Sequence, residues 1–232
     1  MSTIRHKVVV IDDDPALLTA LRIGLTSKGY DVLYASDAEK GIQSVIDASP
    51  SAIILDLGLP DMDGISLCKA LRTFTSVPII VLSATSDEDR KIKALDLGAD
   101  DYVTKPFSMG ELLARLRVAL RHTEIHSNRL GNGSPTINLG VHVTIDNVKH
   151  EVLVDSALVD LTAKEFDLLY VLASHIGKTF THRDLLREVW GVDYYAETNY
   201  LRVYINRIRK KLEPYGEEII KTKPGVGYQI EP

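Results

Sequence analysis

A chain of 232 residues, 45% hydrophobic and 25% charged, is long enough for two compact domains and has the composition of a soluble protein. No apolar run approaches the roughly 20 residues needed to span a bilayer, and the single Cys68 excludes an intramolecular disulfide and most cysteine metal sites. The formal net charge of −5 hides one basic stretch, Arg202 to Lys211, with five cations and no acid, so nucleic acid is an expected partner of that segment alone.

Met1 to Lys7 leads directly into a strand without a secretory hydrophobic region, which predicts a cytoplasmic protein with no membrane partner. Val8 to Ile11 reads as a buried strand. Pro15 to Lys28 follows as a helix with apolar positions Leu17, Leu18, Leu21, Ile23 and Leu25, stopped by Gly29. The spacing then predicts a strand over Asp31 to Tyr34, a helix over Ala38 to Ala48, a strand over Ala52 to Leu55 and a helix from Gly64 to Arg72. Cys68 falls in that last helix as a small buried group. A strand Pro78 to Leu82, a helix Asp87 to Leu97, a strand Asp101 to Val103 and a helix Met109 to Arg121 complete the series. Five strands alternating with five helices predict a doubly wound α/β domain on a parallel sheet. Asn128 to Pro135 is the most linker-like stretch, so the expected boundaries are 1–123, a linker 124–135 and a second domain 136–232.

Beyond the linker the pattern changes. Ile137 to Leu139, His142 to Ile145, His150 to Val154 and Leu158 to Val159 are short, separated by Asn, Asp and Gly, and predict a small antiparallel sheet. Thr162 to Glu165 forms a capping box ahead of a helix with Phe166, Leu169, Leu172 and Ala173 on its apolar face. A second helix from Thr181 turns Leu185, Leu186, Val189 and Trp190 inward, and a third runs from Thr198 to Leu212. Glu218 to Thr222 and Gly227 to Ile230 read as a hairpin with Lys223 to Val226 at its tip. Three helices closed by a hairpin predict a winged helix-turn-helix.

Chemistry gathers at the strand ends of the first domain. Asp12 and Asp13 follow one apolar strand, Asp56 ends another, Ser83 follows a third and Lys105 a fourth, which brings them to one edge of the sheet. Carboxylates at Asp12, Asp13 and Asp56 suit a shared Mg²⁺, with the Gly58 carbonyl as a further oxygen ligand. Asp56 is the candidate nucleophile for an acyl phosphate, Lys105 the cation for phosphoryl oxygens and Ser83 a hydroxyl donor. Asp14, Asp61, Asp63 and Asp87 read as solvated loop carboxylates.

These segments, Val10 to Asp14, Asp56 to Gly64, Leu82 to Ala84 and Gly98 to Phe107, resemble the receiver domain of two-component response regulators over the whole first domain. The resemblance implies that Asp56 accepts a phosphoryl group from a sensor histidine kinase. It assigns Asp12 and Asp13 to the metal pair, Ser83 to the hydroxyl that moves to the phosphate, Tyr102 to an aromatic rotamer switch and Lys105 to the lysine of the site. It also implies a phosphorylation-dependent homodimer through the face carrying Lys91, Asp100, Asp101, Glu111 and Arg115, with Lys91 to Glu111 and Asp101 to Arg115 as intersubunit pairs.

In the third helix of the second domain, Leu201, Ile205, Ile208 and Leu212 form the predicted core face. Arg202, Asn206 and Arg209 then lie on one flank and Val203, Arg207 and Lys210 on the next, placed to read base edges or hold phosphates of double-stranded DNA. Tyr204 reads as a packing aromatic with a wet hydroxyl or as a backbone contact, and Lys211 as a solvated or phosphate-contacting cation. Lys221, Thr222 and Lys223 stand at the hairpin within reach of adjacent phosphates. Leu161 to Leu169, Leu185 to Gly191, Tyr204 to Leu212 and Gly225 to Tyr228 resemble the winged-helix effector of the OmpR/PhoB family. That implies binding to promoter repeats and contact with RNA polymerase, partly through Gly191 to Glu197. Met109 to His122 and Tyr200 to Tyr204 are similar to the family members that control potassium-uptake operons. Those members commonly carry Glu where Asp12 stands, and the wider family often has Arg near Pro224 and near Gln229, so the resemblance implies a wing contact here that is either weaker or reliant on Lys223. The competing readings are a stand-alone phosphatase built on Asp56, a regulator of another operon, and a DNA scaffold that ignores phosphorylation.

Overall fold

The computed structural model describes residues 6–84, 87–125, 136–191, 194 and 198–231, apart from the side chains of 121–125 and 217. The chain divides into two compact units, Met1–Arg121 and His122–Pro232. The expected linker lies almost wholly outside the described residues, as does most of the loop Gly191 to Glu197.

The first unit alternates β1 (Lys7–Ile11), α1 (Pro15–Thr26), β2 (Asp31–Ala35), α2 (Ala38–Ala48), β3 (Ala52–Asp56), α3 (Gly64–Leu71), β4 (Ile79–Ser83), α4 (Glu88–Asp96), β5 (Asp101–Thr104) and α5 (Met109–Ile125). All pairings are parallel in the order β2-β1-β3-β4-β5. Central strands β3 and β4 are buried at every position, as expected where both faces are covered by helices. Edge strand β2 leaves Leu33 and Tyr34 exposed. One hydrophobic core joins Val8, Val10, Ile54, Ile80, Leu82 and Val103 of the sheet to Leu21, Leu25, Leu112 and Leu116 of α1 and α5.

From β1 the chain steps out to β2 and then crosses back to β3 on the other side. The carboxyl ends of β1 and β3 therefore flank a topological switch point, where open α/β sheets bind ligands. The β3–α3 turn is tight: a Cβ at Gly64 would lie 2.5 Å from the Asp56 carbonyl oxygen, so that position takes only glycine.

Four carboxylates expected to be solvated instead cap helices. Asp14 accepts from Ala16 N at 2.8 Å to start α1, Asp63 from Ser66 N at 3.4 Å to start α3, and Asp87 from Asp89 N at 3.0 Å to start α4. Asp61 reaches across to the first amides of α2. Each satisfies donors that a helix start leaves without intrahelical partners.

The second unit begins with an antiparallel sheet in the order β6 (Thr136–Leu139), β7 (Val143–Asp146), β8 (Glu151–Val154) and β9 (Ala157–Val159). Helices α6 (Ala163–Ala173), α7 (His182–Val189) and α8 (Thr198–Lys211) pack on one another, with the capping box Thr162 to Glu165 formed at the head of α6. A second sheet, in the order β10-β12-β11, pairs β10 (Phe180–Thr181) and β11 (Ile220–Lys223) with β12 (Gly227–Ile230). Glu218 and Ile219, expected in the hairpin, belong instead to a short helix α9 (Gly216–Ile219). Gly216 lies so close to α8 that an added Cβ would stand 2.1 Å from Arg209 O, and the chain turns there before the strand begins.

Candidate functional site

Because β1 and β3 are neighbours, their ends place Asp12 and Asp56 side by side. Asp12 is 0% and Asp56 6% exposed, so neither charge is hydrated like a surface carboxylate. The Lys105 ammonium joins them, with Nζ 2.8 Å from Asp12 Oδ2 and 2.6 Å from Asp56 Oδ1. The remaining oxygens take backbone amides: Asp12 Oδ1 accepts from Asp14 N at 2.9 Å and Asp56 Oδ2 from Gly58 N at 2.5 Å. Lys105 N in turn donates to Ser83 O at 2.7 Å, tying the lysine to the end of β4. Ser83 and Tyr102 are both buried on the β4–β5 side.

One cation serving two buried carboxylates leaves a deficit of positive charge. Burial pushes the Asp12 carboxyl above the usual carboxylate range, and the Lys105 hydrogen bond offsets only part of that. Burial also works against the Lys105 ammonium, but its hydrogen bonds to Asp12 and Asp56 outweigh it and hold its pKa above the usual lysine value. Asp13, exposed beside them, adds a third carboxylate. Among the described residues no three His, Cys, Asp or Glu side chains converge into a ready metal cage, because the Lys105 ammonium stands between two of the predicted ligands. The donor chemistry nevertheless fits a hard divalent ion: oxygen ligands, excess negative charge and a destabilised carboxylate. Gly58 enters the geometry through its amide, which donates to Asp56 Oδ2.

The predicted dimer residues are largely engaged within the chain. Asp100 is buried, pairs with Arg72 and accepts from Ile79 N at 2.8 Å, so it is removed from the interface set. A buried carboxylate requires its cation nearby, and Arg72 supplies it while also donating to Gly98 O and Val77 O. Asp101 accepts from Arg115 NH1 at 3.0 Å and Glu111 lies 3.1 Å from Arg115 NH2. The pair Asp101 to Arg115, expected between subunits, is thus intramolecular in the single chain. Lys91 is mostly covered and stands 4.0 Å from Glu88.

Helix α8 buries a wider face than its heptad-like spacing suggests. Tyr200, Leu201, Val203, Tyr204, Ile205 and Ile208 are all buried. Tyr204, at 0% exposure with Trp190 edge-on at 4.9 Å, is a core residue and cannot touch DNA from this position. Arg207 is mostly covered, its guanidinium over the Tyr204 ring and 3.7 Å from Glu165. Arg209 donates to Ile220 O at 2.6 Å and Thr222 Oγ1 at 2.9 Å, which staples the helix to β11. Lys211 is 2.7 Å from Glu165, and Lys223 is 2.9 Å from Glu231. Arg202, Asn206 and Lys210 remain as one exposed stripe. Glu165 is the residue that sequence reasoning missed: its capping role was visible, but its grip on α8, from 46 residues away, had no local signal.

Residues 8–117 match the response regulator receiver domain, and residues 156–230 match the C-terminal domain of transcriptional regulatory proteins. The chain is 45% identical over 226 residues to the transcriptional regulatory protein KdpE of Mycobacterium tuberculosis, covering 97% of this chain and 98% of that one. It is 42% identical over 225 residues to the KDP operon transcriptional regulatory protein KdpE of Escherichia coli, covering 96% and 98% respectively. The structure of a RitR mutant is similar with a TM-score of 0.78 at 26% identity, covering 97% of this chain and 99% of that one. No helix among the described residues is long and apolar enough to cross a membrane. The stand-alone phosphatase is set aside, since proteins of this make-up are transcription factors rather than enzymes of that kind. With a receiver domain ahead of a DNA-binding output domain, the chain belongs to the two-component response regulators of the OmpR/PhoB type and is similar to KdpE.

Proposed function

We propose that this regulator is switched by phosphorylation of Asp56 and controls a potassium-uptake operon as a dimer on promoter repeats. The observation that carries the proposal is the Lys105 ammonium held 2.6 Å from Asp56 Oδ1, beside the buried Asp12, at the switch point of the sheet. An Asp56 oxygen attacks the phosphorus of a phosphohistidine on the sensor histidine kinase. The P–N bond breaks, its electron pair stays on the imidazole, which takes up a proton, and a mixed anhydride forms on Asp56. Lys105 neutralises a phosphoryl oxygen and Ser83 donates its hydroxyl to another. Asp12, Asp13, Asp56 and the Gly58 carbonyl are the groups to hold Mg²⁺, which supplies further positive charge to the transferring group.

The Tyr102 ring is inside in this structure, so its alternative in the switch is the outward rotamer. Ser83 moving toward phosphate favours the inward ring and sets the face of α4, β5 and α5. A second copy then competes for the charges of Asp101, Glu111 and Arg115, fixing orientation more than affinity. Dimerisation sets two α8 helices on adjacent repeats, with RNA polymerase recruited beside them. The potassium target rests on the names of the relatives, 45% and 42% identical to this chain.

The test is selection of genomic DNA fragments by the full chain with Mg²⁺, with and without acetyl phosphate, in parallel with Asp56→Asn. Enrichment of a potassium-transport promoter only by the phosphorylated parent is expected. Equal enrichment in all arms would refute the switch, and enrichment of unrelated promoters would refute the target.

A further inference from the structure

We infer that Asp61 is a positioning residue for phosphoryl transfer, a clamp holding the phosphoacceptor loop against the neck of α2. Its Oδ1 and Oδ2 accept from Ala38 N at 2.9 and 3.0 Å, and Oδ2 also accepts from Glu39 N at 3.2 Å. This is not ordinary local capping, since α2 already has its own cap. Asp37 Oδ1 takes Lys40 N at 2.9 Å, and the Asp37 carbonyl takes Gly41 N at 3.0 Å. The second carboxylate arrives from 23 residues downstream.

What it joins explains its purpose. The β3–α3 loop begins at Asp56, and its tip, Pro60, Asp61 and Met62, is exposed. From that tip, the Asp61 carboxylate is the group that reaches another element. In the sheet β1 lies between β2 and β3, so a link from the β3–α3 loop to the start of α2 spans the end of β1, where Asp12 and Asp13 stand. Helix α2 is itself pressed on β1: a Cβ at Gly41 would come 2.6 Å from Ile11 Cδ1, one residue before Asp12. The clamp thus connects the loop whose Gly58 amide holds Asp56 to the helix packed on Ile11, the residue before Asp12. Its two backbone donors are fixed dipoles, and they also lower the Asp61 carboxyl below the usual range, so it stays charged through the neutral range.

This inference rests on Asp56 being the acceptor, and the experiment separates the two. The full chain, Asp61→Ala, Asp61→Asn, Asp37→Ala and Asp56→Asn are treated with acetyl phosphate and Mg²⁺. In the transfer the acetyl P–O bond breaks and acetate leaves as the Asp56–phosphorus bond forms. Uptake rate, phosphoaspartate half-life and thermal midpoint are measured for each. Because a small misplacement of a reacting group carries a large rate penalty, Asp61→Ala is expected to slow uptake roughly tenfold or more. Asp61→Asn, which retains one acceptor oxygen, should recover part of the rate. Asp37→Ala should lower the thermal midpoint comparably yet phosphorylate at the parent rate. Parent-like kinetics in Asp61→Ala, or equal slowing by Asp61→Ala and Asp37→Ala, overturns the clamp. Equal uptake by the parent and Asp56→Asn overturns the acceptor assignment instead.

Discussion

Glu165→Ala tests whether the recognition helix is held by a buried charge. Glu165 is 1% exposed and meets three donors: Thr162 N at 2.8 Å, Lys211 Nζ at 2.7 Å and, more distantly, Arg207 NH1 at 3.7 Å. The Arg207 side chain, 12% exposed, loses an ion pair at 3.7 Å, which costs about 1 kcal/mol. Lys211 is 35% exposed and rehydrates, adding about 1 kcal/mol at most. The Thr162 amide, left without its acceptor, adds roughly 1–3 kcal/mol. Together these come to roughly 2–5 kcal/mol, a large share of the roughly 5–15 kcal/mol that stabilises a domain. The chain has one tryptophan, Trp190, buried edge-on against Tyr204 of α8. Its fluorescence therefore follows the output unit alone during urea or thermal unfolding. The Trp190 transition is expected to fall by about 8 °C or more, while the proposed phosphorylation of Asp56 by acetyl phosphate proceeds at the parent rate. A fall of less than about 3 °C would show that Arg207 and Lys211 rehydrate freely and that the contact stabilises little.

Asp12→Asn should raise the thermal midpoint at pH 7. The folded carboxyl is pushed up by burial, so its contribution favours the fold at acid pH and is lost as pH rises through the folded value; the variant's advantage should vanish below the ordinary carboxylate range. A less stable variant at pH 7 would contradict this. Lys210→Ala should reduce the slope of log binding constant against log salt by about one, whereas Tyr204→Phe should leave slope and sequence preference unchanged. Fluorescence titrations over a salt series decide both, and a changed slope in Tyr204→Phe would reinstate it as a DNA contact. Arg72→Leu removes the cation beside the buried Asp100 together with the bonds to Gly98 O and Val77 O and should destabilise the receiver by roughly 3–5 kcal/mol in urea; a loss under about 1 kcal/mol would return Asp100 to the candidate interface.

The parallel sheet and its reactive edge were legible because apolar strands ending in Asp12, Asp56, Ser83 and Lys105 leave few alternatives for where those groups converge. Partnerships across the fold were not. Arg72 with Asp100, Asp61 with Ala38 and Glu165 with Lys211 join residues 28, 23 and 46 positions apart, and no helical or strand period relates them. Tyr204, read as either a packing aromatic or a backbone contact to DNA, takes the packing role. A helix covered on three sides buries a stripe wider than its i, i+4, i+7 positions, and a tyrosine beside that stripe goes inside with it. The same closeness brings Arg207 to Glu165 and Arg209 to Ile220, contacts that the helix spacing did not show. The start of β11 was misplaced because Ile219 and Ile220 suit a strand by propensity, while the contact of Gly216 with α8 decides the backbone.

The narrow polar stripe on α8 also limits how much sequence one molecule can recognise. Arg202, Asn206 and Lys210 span eight residues of rise, about 12 Å, which matches only three or four base pairs of groove at about 3.4 Å each. A word that short recurs on the order of every hundred base pairs by chance, so a lone protomer would be scattered over a whole genome. The proposed dimer reads two such words together at fixed spacing, so the genomic address is written in the gap between them as much as in the letters.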